Sequence, residues 1–440
     1  MNKKFLAAIS IFLLGGGVSD VRSPDYWITL SVPTQRSLTR MQFLDSLAGW
    51  VSGAVGTIIM TSNGGSSWEV QNTNTNIDIL DISMISHRSG WALGIRLPDL
   101  TGEPGRTVMF KTLNGGATWD SMWYPTPDKF FYSISFLDSL HGWMGGEFGT
   151  MVGTSDGGAS WFEAAVDTPA YPHFAIRRIK FFSPSHGIAV GGAWDLAGVI
   201  WRTTNGGALW SVISIGSEPL NGIHYWDSLN IICVGGDADF GPTMVRTTNG
   251  GEDWEYSYVG FLGEARAIAF RTPTEAWVPL GFSATYMFSF DNTETWRTSY
   301  IPNLRAAYDV LFIDPMHGYM VGSYGMVLKF NPTALGVVRD SVSILPTETI
   351  LSQNFPNPFN PSTTITYRVP SRSMVAVEIY DVAGRKVQTL KKGVQEAGSY
   401  SLRFNAEGRP SGIYLCTVRV ELMSGSREVF IRTTKMVLLK

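Results

Sequence analysis

The eight residues TSNGGSSW (61–68) return as TLNGGATW (112–119), TSDGGASW (154–161), TTNGGALW (203–210), TTNGGEDW (247–254) and, in worn form, SFDNTETW (289–296). Aligned on Trp68, Trp119, Trp161, Trp210, Trp254 and Trp296, the copies lie 51, 42, 49, 44 and 42 residues apart. A period in the forties built from short strand-like runs marks an array of small sheets, each burying its face against the next. Upstream of each octet comes a first strand ending in a turn, as in FLDSLAGW, FLDSLHGW or FIDPMHGYMVG. A second, glycine-bounded strand follows, then a third such as GTIIMTS or GTMVGTS, and a fourth begins at the tryptophan. Four strands with turn residues between them make one propeller blade.

The octet's composition explains its return. Asn63 or Asp156 can fold a side-chain oxygen onto backbone N–H groups of the turn, and the glycines supply positive φ angles that other residues resist. The tryptophan is then free to pack between blades, where its burial contributes about 4–6 kcal/mol at about 25 cal/mol per Å² before entropy is charged. A seventh first-strand unit, Ala306 to Phe330, runs out without an octet, while Trp27 in DYWITLSVP stands 41 residues before Trp68 with no blade upstream. The expectation is an all-β chain: a seven-bladed β-propeller over 24–335, closed by its N-terminal strand so that no sheet edge is left open, followed by a small antiparallel β-sandwich.

Other features narrow the setting. Lys3 and Lys4 precede an apolar run from Phe5 to Leu14 and a small-residue site, which reads as a signal peptide over 1–23. The run is shorter than the ~20 residues that span a bilayer, and no later segment is long and apolar enough, so no transmembrane segment is expected. A net charge of −3 offers no basic footprint for nucleic acid. With only Cys233 and Cys416, expected in different domains, neither a disulfide framework nor a zinc site is indicated, and no cofactor or metal is expected.

The octet pattern Ser/Thr-x-Asp/Asn-x-Gly-x-x-Trp resembles the Asp-box, or BNR repeat, of sialidase-like propellers. In texture residues 26–330 are similar to the photosystem II assembly factor propellers. The resemblance implies the fold and leaves activity open, because the repeat occurs in enzymes and in binding proteins. After a linker over 336–350, residues 351–440 resemble the type A C-terminal sorting domain of type IX secretion cargo. The matching residues include Phe355, Pro356, Asn357, Pro358, Gly384, Gly412, Tyr414 and Lys440. That resemblance implies the type IX machinery as a partner and an extracellular or cell-surface destination.

Candidate site residues follow from blade geometry, in which the second-to-third-strand turns and the links between blades share one face. On it the pattern places Arg96, Asp99, Glu103 and Arg106 (blade two), Glu147 and Phe148 (three), Trp194 and Asp195 (four), Asp237 and Asp239 (five) and Tyr324 (seven). First-strand starts add Arg40, Arg177, Arg178, Arg266 and Arg305. Glu147 with Asp237 or Asp239 is the one candidate carboxylate pair for a glycoside hydrolase or lyase. Yet no sialidase arginine triad or nucleophile segment maps onto these positions, so the leading expectation is a non-enzymatic propeller that binds a protein or glycan.

Overall fold

The computed structural model describes residues 26–98, 102–167, 173–337, 350–351, 354, 357–369, 371–396, 398–423 and 429–439. The expected signal peptide, most of the expected linker, Asp99, Phe355, Pro356 and Lys440 lie outside the described residues.

Seven four-stranded antiparallel sheets follow one another along the chain. Blade one is Leu38–Phe43, Gly49–Gly53, Ile58–Thr61 and Glu69–Gln71, from the innermost strand outward. The later innermost strands are Ile79–Met84, Phe131–Phe136, Ile176–Phe181, Leu220–Tyr225, Ala269–Thr272 and Ala307–Asp314. In the seventh sheet the outermost strand is Trp27–Thr29, with Trp27 opposite Phe330 in the antiparallel pair. The two ends of the ring therefore share one sheet.

The core is divided by seam. Seven clusters of buried side chains each join two adjacent blades, and the cluster between blades six and seven also takes Tyr26 and Trp27. Each octet tryptophan faces the preceding blade: Trp210 of blade four meets Trp143 of blade three edge-on at 5.8 Å, and Trp68 joins Tyr319 and Val321 of blade seven. Trp119, Trp210 and Trp296 are likewise buried, whereas Trp161 and Trp254 are half-buried. The octet turn itself is held by two side chains. In the first copy Asn63 Oδ1 accepts from Ser67 N at 2.9 Å, and the buried Thr61 hydroxyl accepts from Gly65 N at 2.9 Å. The worn copy keeps this pattern through Asp291 and Ser289.

Side chains of the innermost strands stitch blade to blade. Asp309 accepts from Met41 N at 3.1 Å, Asp81 from Ile134 N at 3.0 Å, and Ser133 from Ile179 N at 3.0 Å. These bonds satisfy N–H groups that no neighbouring strand can reach.

The C-terminal unit is a sandwich. A sheet of Ile350–Leu351, Ser362–Val369 and Gly398–Asn405 faces one ordered Lys386–Gln395, Ser373–Asp381, Gly412–Leu422, Val429–Leu438. Ile365, Tyr367, Val377, Phe404, Cys416 and Val418 fill the space between them. The motif residues have definite places here. Asn357 accepts from Val437 N at 2.8 Å just before Pro358, Gly384 occupies a positive-φ turn closed by Asp381 and Arg385, and the Tyr414 hydroxyl donates to the Pro410 carbonyl.

Candidate functional site

The face that carries the second-to-third-strand turns is built around a backbone irregularity. In six blades the innermost strand shifts register at its start, after Leu38, Ile79, Phe131, Ile176, Leu220 and Ala307. Each bulge leaves one extra residue, namely Thr39, Leu80, Tyr132, Arg177, Asn221 or Tyr308, and a bulge re-aims the side chain it carries. Here they collect at the mouth of the central channel. Arg177 donates to Asn221 Oδ1 at 3.0 Å, Asn221 donates to Glu264 at 2.9 Å, and Glu264 pairs with Arg266 at 2.9 Å and with Arg177 at 3.6 Å. One polar bridge thus spans blades four, five and six, with Glu264 almost fully buried beneath it. Arg266 Nε is buried and has no acceptor among the described residues.

Large apolar side chains stand on the turns of the same face. The turns present Val55, Phe148, Trp194, Phe240, Phe282 and Tyr324, one from each of six blades; Phe148, Phe282 and Tyr324 are 70, 76 and 66% exposed. The Arg177 guanidinium lies 4.1 Å from the Trp194 ring, and Arg266 lies 5.8 Å from that of Phe282. Val55–Gly56, Phe148–Gly149 and Tyr324–Gly325 all have positive φ at both residues, the type I′ hairpin turn. That turn favours Asn or Asp in its first central position; a bulky residue there is strained by about 1–2 kcal/mol. The chain tolerates this three times to hold an apolar side chain in water.

The opposite face differs. It carries single aliphatic residues, Leu47, Leu140, Leu229 and Met316, beside turn aspartates whose carboxylates already accept backbone N–H bonds. Asp138 and Asp314 also pair with His141 and His317 in the same turns.

The candidates named from sequence fall into three groups. Trp194, Arg266 and Tyr324 stand at the mouth with Glu147, whose carboxylate accepts from the Tyr132 hydroxyl at 2.6 Å. Burial and that carboxylate push the Tyr132 hydroxyl well above the ordinary tyrosine range. Arg305 crosses to the Tyr324 carbonyl at 2.9 Å and braces that turn. Asp195 takes the positive-φ position of its turn, above the buried Glu218, whose carboxyl burial pushes up.

The remaining candidates are differently employed. Arg96 bonds Glu103 at 3.2 Å and lies over Trp123 of the outermost strand of blade two, with Arg106 opposite it in the strand pair. Asp237 accepts from the backbone N–H groups of Asp239 and Phe240, which closes its own turn. Sequence reasoning passed over Tyr132, Asn221, Glu264, Phe240 and Phe282. Turns of unequal length move these positions from blade to blade relative to the octet, so no fixed spacing marked them. Among the described residues no cluster of His, Cys, Asp and Glu is set to hold a metal, and no helix is long and apolar enough to cross a membrane.

Comparison with known proteins sets the chain in a lineage. A family described as photosynthesis system II assembly factor YCF48 matches residues 19–127 and 116–266, and one described as secretion system C-terminal sorting domain matches 353–432. The photosystem II assembly lipoprotein Ycf48 of Nostoc sp. strain PCC 7120 is 25% identical over 364 residues, covering 76% of this chain and 95% of the relative. A solved structure of YCF48 bound to D1 peptide superposes with a TM-score of 0.55 at 21% identity, covering 69% of this chain and 96% of that one. The GH74 xyloglucanase from Xanthomonas campestris superposes with a TM-score of 0.53 at 11% identity, covering 78% of this chain and 59% of the enzyme, a likeness of fold alone. The C-terminal sandwich is thus a sorting domain that directs the chain to export by a secretion system. The chain belongs to the photosystem II assembly factor YCF48 family and joins that family's propeller to a secretion sorting domain.

Proposed function

We propose that this is a non-enzymatic binding protein that captures an extended protein segment across the channel mouth, outside the cell or on its surface. The observation that carries the reading is the set of exposed apolar turns, three of them strained, on the face that also carries the Arg177–Asn221–Glu264–Arg266 bridge. Isolated apolar residues on a surface need no explanation, but a converging set held out at conformational cost does. Aromatic and arginine side chains around a half-buried polar centre are the composition of interface hot spots. A solved YCF48 relative carries a peptide. The hydrolase alternative loses support because Asp237 is occupied by its own turn and Glu147 by Tyr132.

The test is selection of peptides on the immobilised full chain, followed by titration of the winners. Trp194→Ala and Arg177→Ala should each weaken binding by about thirtyfold, the effect of a hot spot of about 2 kcal/mol, whereas Trp123→Ala on the outer strand should leave it unchanged. Selection of no peptide, or turnover of a polysaccharide that Glu147→Gln abolishes, would overthrow the reading.

A further inference from the structure

Below the mouth the innermost strands enclose a cavity of about 450 Å³ along the ring axis. Its wall carries Arg40 from blade one, Arg178 and Lys180 from blade four, and the carboxylates Asp81 and Asp309 from blades two and seven. The carboxylates are committed. Asp81 accepts from Ile82 N, Ser133 Oγ and Ile134 N and lies 3.5 Å from Arg178, while Asp309 accepts from Met41 N and Val310 N.

Two cations are left over. Among the described residues the Arg40 side chain donates only to the Thr39 carbonyl, at 3.3 Å, and Lys180 Nζ has no acceptor. Neither has a carboxylate within ion-pair distance among those residues, although both sit deep within the ring with Lys180 still open to the water of the channel. Cations gathered in a confined polar cavity repel one another unless an anion lies between them.

We propose that the channel is a binding site for a polyvalent oxyanion of the sulfate or phosphate type, gripped by Arg40, Arg178 and Lys180. Guanidinium groups match such oxygens two at a time and an ammonium adds a point charge, so blades one and four would be tied across the axis. The anion is either free or the ester group of a sugar small enough for the cavity. The three gripping side chains are distinct from the polar bridge at the mouth, although Asn221 and the Glu264-paired Arg266 of that bridge also line the cavity.

Lys180 gives the site a pH dependence. Burial and Arg178 bring its ammonium down to about 8. The groups facing it are Arg178 on its own strand, Asp309 from blade seven and His224 from blade five, which burial and Lys180 bring down to about 3; Arg40 and Asp81 complete the wall. Between pH 7 and 9, Lys180 is therefore the group that changes charge, and sulfate remains a dianion throughout. Affinity should fall about tenfold from pH 7 to pH 9, with one proton taken up per anion bound at the upper end.

Titration calorimetry of the full chain with sodium sulfate, against sodium chloride at equal ionic strength, tests this. One saturable site is expected, lost in Arg40→Gln and weakened about tenfold at pH 7 in Lys180→Met, whose remaining binding should no longer change between pH 7 and 9. Unfolding curves without sulfate establish that each variant is folded; should Arg40→Gln not fold, Lys180→Met and the wild-type pH profile decide. A hexose 6-phosphate arm separates the sources: tighter binding than sulfate points to the ester, equal or weaker binding to the free ion. Absence of a saturable signal beyond chloride, unchanged binding in Lys180→Met, or a selenate soak that places the ion outside the channel would overturn the proposal.

Discussion

The octet shows what a single residue contributes when its role recurs around a ring. In five copies the second glycine has positive φ, from 78° at Gly65 to 92° at Gly158. The sixth copy puts Thr293 there at φ 69°, after Asn292 at 57°, and the turn closes with the same two side-chain bonds. A β-branched residue in that region costs about 1–2 kcal/mol, while glycine loses about 0.5–1 kcal/mol of chain entropy on folding. Thr293→Gly should therefore stabilise the propeller by about 0.5–1 kcal/mol, raising the thermal midpoint by about 1–3 °C. A lowered midpoint in scanning calorimetry would mean that the threonine makes contacts worth more than its strain. The wear in the sequence was legible as wear, but the persistence of the turn was not. It rests on the Ser289 hydroxyl and the Asp291 carboxylate, two of the octet positions that, with Trp296, did not change in kind.

Among elements, the turns and the bulges divide the labour. Repetition is strongest in the octets on one face, where each blade must meet the same geometric demand; that is why blade number and strand order could be read from the chain. The mouth is made on the other face, from positions that differ in every blade, and an unpaired bulge residue has no signature of its own. Arg177 and Arg266 were named from sequence, but their joining through Asn221 and Glu264 depends on three bulged or irregular strand starts meeting in space. Arg96 and Arg106 show the converse, residues of the right type that pair with each other across the second and third strands of blade two, with the Arg96 guanidinium over Trp123 of the outer strand. If the type I′ turns trade stability for display, Phe148→Asn and Tyr324→Asn should each stabilise the fold by about 0.5–1 kcal/mol while weakening capture of a selected peptide. Urea denaturation and peptide titration on the same variants check both halves; a variant that loses stability and keeps affinity contradicts the trade.

At the scale of the molecule, the ring depends on a closing strand of only three residues. Trp27, Ile28 and Thr29 pair with Leu328, Lys329 and Phe330, too little ladder to hold the seam alone. What holds it is aromatic packing: the Trp27 ring lies 5.6 Å from both Trp277 and Phe330 and 5.9 Å from Phe312, so one side chain touches blades six and seven together. Removing it leaves a cavity at the seam that two chain ends share, which the strand cannot refill by sliding without turning its buried face outward. Trp27→Ala should cost about 3–5 kcal/mol and lower the propeller's thermal midpoint by about 5–15 °C, with Trp27→Phe recovering most of the loss. The sorting domain should not share the penalty, since its core contains only its own residues. It meets the propeller elsewhere, through Arg403 against Glu255 and Arg368 over Phe261 on blade five and the link that follows. Calorimetry of the full chain separates the two: in Trp27→Ala the propeller transition moves and that of the sandwich stays. If both moved together, the two domains would unfold as one unit, and the closing indole would be holding more than the ring.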